Sequence, residues 1–250
     1  IERFWQRFWR RQCYNSPPER SMEILDLRLI GPEALRALLE EERTVWREGL
    51  RWDYSATAAM VLRFLESRAL NGYAAMEDGR AVGYSFYVIE HFKGLIGDAF
   101  VSPAYRDGAT EVQLVTHVLE TLQATPGIRR IEAQLIHLDT AGVRSHFLSQ
   151  GFQVHDRQFL FLSIPDADLN PVCSDSLVEV IPWDARWFQA AGELILASYR
   201  GHVDSDISDQ YRTQAGAARF LENLVHFPGC GTFLPEASFV AFCDGRSSPS

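Results

Sequence analysis

The chain has 250 residues, 46% of them hydrophobic, enough for one core and part of a second. Its net charge of −9 and pI near 5.3 argue against the basic face that a nucleic-acid partner requires, and equally against an anionic membrane surface. Cys13, Cys173, Cys230 and Cys243 are scattered without a C-x-x-C pair, which speaks against a zinc site or a disulfide framework and for reduced thiols in a cytoplasm. His117, His137, His146, His155 and His226 share no metal-ligand spacing, so no metal is expected.

Residues 1–21 set Arg3, Arg7, Arg10, Arg11 and Arg20 against Glu2 and Glu19, with Phe4, Trp5, Phe8 and Trp9 between them. An amphipathic interfacial helix is one reading. The other, which we favour, is a leader or disordered tail outside the fold, because Pro17-Pro18 breaks a helix and a strand-like run opens at Met22. No apolar stretch approaches the roughly 20 residues of a membrane span, and no signal-peptide pattern appears. No membrane partner is therefore expected.

Residues 22–30 read as a strand, and Pro32 opens an apolar-periodic helix reaching about Trp46. Ser55 can cap a second helix with Val61, Phe64 and Leu65 on one face. Residues 72–76 and 82–89 are strands joined by Asp78-Gly79, a hairpin signal, with Val82, Tyr84, Phe86 and Val88 on one face. A third strand covers 95–101, and a helix follows with Val115, Val118, Leu119 and Leu122 on one side, ended by Pro126-Gly127. Ile131, Ala133 and Leu135 alternate as a strand. A short helix at 142–150 ends at Gly151, and residues 152–164 return as strand. Residues 165–176 have linker chemistry. The cycle then restarts: a strand at 177–181, a helix at 187–199, a helix striped by Ala217, Phe220, Leu221, Leu224 and Val225, and a strand at 238–242 before Asp244-Gly245. This order describes a mixed α/β fold on one central sheet.

The restart is also visible in the letters. Arg63-Phe64-Leu65-Glu66 recurs as Arg219-Phe220-Leu221-Glu222, 156 residues on. Ala75-Met76-Glu77-Asp78-Gly79-Arg80 echoes Ala241-Phe242-Cys243-Asp244-Gly245-Arg246, 166 residues on. The shared order argues for a duplicated domain. The expected organisation is a first copy at 22–164, a linker at 165–176, and a partial second copy at 177–250.

The element order, the run Val101-Ser102-Pro103-Ala104-Tyr105-Arg106 before a helix, and Phe147-Leu148-Ser149-Gln150-Gly151-Phe152 later resemble the GNAT superfamily of acyl-CoA-dependent N-acyltransferases. The resemblance covers about residues 22–164, and residues 177–246 resemble the front half of a second copy. It implies a central mixed sheet flanked by helices, with acetyl-CoA or another acyl-CoA as co-substrate and a small-molecule or peptide amine as acceptor. The amine would attack the thioester directly, with backbone N–H groups of a splayed strand stabilising the oxyanion. Phe100, Val101, Arg106, Gly108 and Ala109 then fall where the acyl-CoA is held, its pyrophosphate on free helix N–H groups.

Several positions depart from the family's pattern. The loop Arg106-Asp107-Gly108-Ala109-Thr110-Glu111 puts Ala109 where a glycine is usual, and a left-handed backbone there would cost roughly 1–2 kcal/mol. A shift of one residue would let Gly108 make the turn. Glu111 stands where a small residue belongs, and its repulsion of a pyrophosphate is on the order of a few kcal/mol. Its other reading is a helix-starting carboxylate favoured by the dipole. The tyrosine that protonates the departing thiolate in many GNAT enzymes aligns with Phe147, which has no proton to give, and a common asparagine aligns with Thr140. Weak acyl-CoA binding by the first copy is therefore expected.

Asp98 on the third strand is the general-base candidate, since an amine must lose a proton to attack; its alternative is a solvated strand carboxylate. Tyr199, His202, Asp204, Asp206 and Asp209 crowd one loop of the second copy, where three carboxylates suit a cationic amine. A solvated helix–helix loop is the alternative there. Two functions compete: an N-acyltransferase with a weak or inactive first copy, and a non-catalytic scaffold or acyl-CoA sensor.

Overall fold

The computed structural model describes residues 22–138, 140–160, 162–163, 178–227 and 232–243. The expected leader at 1–21, the linker at 165–176 and the Asp244-Gly245 turn lie outside them. The chain divides into two compact units, residues 1–42 with 62–146 and residues 43–61 with 147–250. The fold class is mixed α/β.

The first unit is built on five strands: β1 (Glu23–Asp26), β2 (Asn71–Glu77), β3 (Arg80–Glu90), β4 (Lys93–Val101) and β5 (Arg130–Ala133), hydrogen-bonded in that order. The first three pairings are antiparallel and β4–β5 is parallel. Asp78 and Gly79 turn the β2–β3 hairpin with φ of 49° and 77°, the doubly left-handed pair that matches the twist of its strands. Helices α1 (Pro32–Leu50) and α2 (Ser55–Glu66) precede β2, and α3 (Ala109–Ala124) and α4 (Ala141–Ser149) bracket β5. Leu114, Val115, Val118, Leu119 and Leu122 of α3 are buried. A Cβ on Gly94 would stand 2.7 Å from Leu122, so only glycine lets α3 lie this close to β4.

Four local readings are corrected. The first strand stops at Asp26 because its carboxylate accepts the Arg28 N–H at 2.8 Å and starts a 3₁₀ turn over Leu27–Leu29. α1 runs on to Leu50, past the end of its apolar stripe at Trp46. The buried face of β3 ends at Phe86, and Val88 is 48% exposed. Residues 152–160 are not strand. Their apolar letters find no ladder partner, leaving Phe159 and Leu160 exposed, and an unpaired strand has nothing to satisfy its backbone.

The second unit carries the two-stranded antiparallel sheet of β6 (Val178–Pro182) and β7 (Phe239–Cys243), with α5 (Phe188–Ser198), α6 (Asp204–Ile207) and α7 (Gln214–His226) between them. α5 and α7 touch at Gly192, whose absent Cβ would lie 3.8 Å from Ala218. Local detail repeats that of the first unit. β1 pairs Ile24 with Ala75, and β6 pairs Val180 with Ala241, 156 and 166 residues further on. Asp184 caps a 3₁₀ turn by accepting the Arg186 N–H at 2.8 Å, as Asp26 does for Arg28. Val61 and Leu65 are buried on α2, and Ala217 and Leu221 are buried on α7.

Candidate functional site

The parallel ladder between β4 and β5 is short. It pairs Lys93 through Ile96 with Arg130 through Ala133, while β4 continues to Val101. Gly97, Asp98, Ala99, Phe100 and Val101 thus run past the last β5 pair, so this part of β4 has no β5 residue in its ladder. A bulge marks the parting. Asp98 stands opposite Phe86 and Ile96 opposite Tyr87, so Gly97 is the extra residue.

Asp98 is half-buried just beyond that bulge. Its Oδ1 accepts the N–H of Ala99 at 2.8 Å, and its main-chain oxygen accepts the Ser85 hydroxyl at 3.0 Å. Phe100 and Val101 are fully buried. Arg106 folds back on them: its Nε donates to the Val101 carbonyl at 2.9 Å, and its guanidinium lies 5.4 Å from the Phe100 ring centroid. The Nη2 of Arg106 is buried and without a hydrogen-bond partner. Arg106 also acts on His137, whose pKa is lowered first by burial and then by that positive charge.

The loop before α3 corrects the reading of Ala109. Gly108 takes the left-handed conformation, with φ of 82°, and Ala109 simply begins the helix. No turn strain falls on Ala109, because the one residue free to adopt that φ is the one that does. Glu111 is fully buried, and its Oε2 accepts the Gly108 N–H at 2.8 Å. Asp107 does the same for the next two donors: its Oδ1 accepts the Ala109 N–H at 3.0 Å and the Thr110 N–H at 2.9 Å. The Thr110 N–H is the first cause of the lowered pKa of Asp107. Asp107 is the capping residue of this turn that sequence reasoning missed. Its signal was present, an Asp two residues before a helix start, which is the spacing of a side chain that caps it.

The aligned departures have structural partners too. Thr140 caps α4, its Oγ1 accepting the Val143 N–H at 3.3 Å. Phe147 is buried and meets the Phe152 ring edge-on at 5.0 Å between centroids.

In the second unit, the Tyr199, His202, Asp204, Asp206 and Asp209 loop is knit together internally. Tyr199 and Tyr211 stack at 4.0 Å, and Tyr211 has a raised pKa caused first by burial. Arg157 pairs with Asp204, whose N–H donates to His202 Nδ1 at 3.2 Å. Arg212 donates to Asp206 at 2.9 Å, and Asp209 opens a 3₁₀ turn. Asp204 and Asp206 therefore each already hold a guanidinium. Among the described residues no group of three or more His, Cys, Asp or Glu is placed to hold a metal, and no helix is long and apolar enough to cross a membrane.

No family model matches the chain, and no curated protein matches it. Among solved structures it is similar to a possible acetyltransferase from Clostridium difficile 630, 10% identical, covering 57% of this chain and 97% of that chain at a TM-score of 0.41. It is also similar to the aminoglycoside N-acetyltransferase AAC(6')-Iy in complex with CoA (20% identical, 59% and 98% covered, TM-score 0.37). A third is a GCN5-related N-acetyltransferase from Ralstonia eutropha (13% identical, 56% and 98% covered, TM-score 0.42). TM-scores this low leave the functional reading to rest on the chain's own residues.

Proposed function

We propose that the chain is a tandem N-acyltransferase of the GNAT type, in the first instance an N-acetyltransferase, moving an acyl group from acyl-CoA to a small-molecule or peptide amine. In this reading residues 22–164 are a copy with a weak or inactive acyl-CoA site, and residues 177–250 are the front half of a second copy. The observation that carries it is the parting of β4 from β5 after Ile96, which leaves Gly97–Val101 without a β5 partner ahead of the loop that starts α3. The repeated β-strand register, offset by the same 156 and 166 residues as the repeated letters, supports the duplication. Asp98 is the base assigned to the first copy, at the edge just beyond the bulge. The acceptor is assigned to the Tyr199, His202, Asp204, Asp206 and Asp209 loop, where an amine must compete with Arg157 and Arg212 for the carboxylates.

The test is thiol release from acetyl-CoA at millimolar concentration over a panel of diamines, aminoglycosides and a lysine peptide. Amine-dependent release that Asp98→Asn lowers by about a hundredfold supports the transferase reading with a working first copy. Release insensitive to Asp98 places the chemistry elsewhere, and no amine-dependent release at all removes the transferase reading from this chain. A second reading, a non-catalytic scaffold or acyl-CoA sensor, is favoured by one feature: the N–H groups that begin α3 already have carboxylate partners.

A further inference from the structure

A helix N-terminus attracts an anion for two reasons: its first N–H groups lack partners, and the helix dipole leaves about half a positive charge there. At α3 three of these donors are already taken. The N–H groups of Gly108, Ala109 and Thr110 donate at 2.8, 3.0 and 2.9 Å to Glu111, Asp107 and Asp107. Two acidic side chains already sit at this helix end, so its dipole is met from within the chain. Arg106 does not offset them, since its Nε is turned to Val101 and it forms no ion pair with either carboxylate. A diphosphate does not fit this turn as built.

An ordinary capping glutamate keeps its second oxygen in water. Glu111 is fully buried, and its Oε1 has no hydrogen-bond partner. Leaving a buried acceptor unmet is unfavourable, so the helix cap alone does not explain how deep this side chain sits. It occupies the turn from inside, where a ligand's anion would otherwise lie.

We propose that Asp107 and Glu111 are the resident anion of this turn, an internal occupant that closes the first unit to acyl-CoA and to other diphosphates. The proposal rests on the acyl-CoA reading of the fold, and it changes the physical cause of weak binding. The obstacle is occupancy by two side chains, not strain at Ala109, so Ala109→Gly alone gains nothing.

The experiment is calorimetry on the full chain with two probes, CoA and inorganic pyrophosphate, comparing wild type with Asp107→Ser/Glu111→Ala. Circular dichroism and melting establish that the variant is folded. We expect no wild-type binding below millimolar concentration, and a gain of about tenfold or more for both probes in the double variant. A gain for pyrophosphate without one for CoA keeps the internal anion and sinks the acyl-CoA reading of the groove. Micromolar CoA binding by the wild type that shifts the amide resonances of Gly108, Ala109 and Thr110 overturns the proposal while upholding that reading. A folded double variant that binds neither probe better than wild type also overturns the proposal, without supporting the acyl-CoA reading. If the double variant fails to fold, Glu111→Gln keeps an acceptor for the Gly108 N–H and removes one charge. It must then strengthen pyrophosphate binding by about threefold, and an unchanged affinity overturns the proposal.

Discussion

Replacing Gly97 by alanine asks what holds the bulge at which β4 leaves β5. A Cβ on Gly97 would lie 2.1 Å from Cε2 of Phe86 and 2.7 Å from its Cζ, against about 3.5–4.0 Å for a carbon–carbon contact. The ring must therefore retreat by roughly 1.5 Å. It has little room to do so. Phe86 is 9% exposed and stacks parallel to Tyr84 at 6.4 Å, and Tyr84 is fully buried with its hydroxyl donating to Glu42 at 2.7 Å. Overpacking of this kind costs about 1–3 kcal/mol. Phe86→Ala alone should cost about 3–5 kcal/mol through the cavity it leaves. In the double variant the added methyl meets no ring, so most of the overpacking cost disappears. The cycle should then show a coupling of about 1–3 kcal/mol in the direction that makes the double variant more stable than the sum. Urea denaturation followed by circular dichroism measures it. Costs that add to within about 0.5 kcal/mol would refute the claim that Phe86 sets the bulge.

Two further predictions concern charge. Asp107 has a lowered pKa in the fold, so its contribution to stability is complete above the ordinary carboxylate range and is lost as pH falls through the lowered value; Asp107→Asn should flatten the acid side of a melting-temperature profile, and an unchanged acid limb would contradict the cap. His137 also has a lowered pKa, so the unfolded chain binds its proton more readily and stability should rise with pH up to the ordinary histidine value near 6.5. An NMR titration should put its midpoint below that value, and Arg106→Gln should move it upward; a midpoint indifferent to Arg106 would separate the two side chains.

The succession of elements was legible because apolar periodicity is local: the α3 stripe and the alternation in β3 can be counted in the letters. What failed depended on partners far along the chain. Residues 152–160 carry strand-like letters, but pairing is decided by another strand's edge, and among the described residues no strand pairs with them. The shortened β1 was decided by a single polar side chain, Asp26, whose bond to the Arg28 N–H outweighs the apolar run after it. That signal could have been read, since Asp26-Leu27-Arg28 and Asp184-Ala185-Arg186 share their spacing and cap the same turn. At the candidate site, the family pattern drew the eye to Ala109. A turn selects the residue that can adopt its φ, and Gly108 was one position away.

Thr140, Phe147 and Glu111, which depart from the acyltransferase pattern, share one physical character with the capping Asp107. Thr140 replaces an amide and caps α4 with its hydroxyl. Phe147 replaces a phenol and gains an edge-on contact with Phe152. Asp107 and Glu111 satisfy the donors that begin α3. Each side chain thus makes a contact inside the chain, although one oxygen of Glu111 is left without a partner. A site that had merely decayed would leave orphaned donors around an open turn, because loss of function by itself supplies no substitute partners. The α3 turn instead has three of its donors met by carboxylates, while one buried carboxylate oxygen and one buried guanidinium nitrogen nearby are not met. On the reading proposed above, Asp107 and Glu111 make the start of α3 part of the chain's own framework, so the acidic side chains and not a ligand complete this turn.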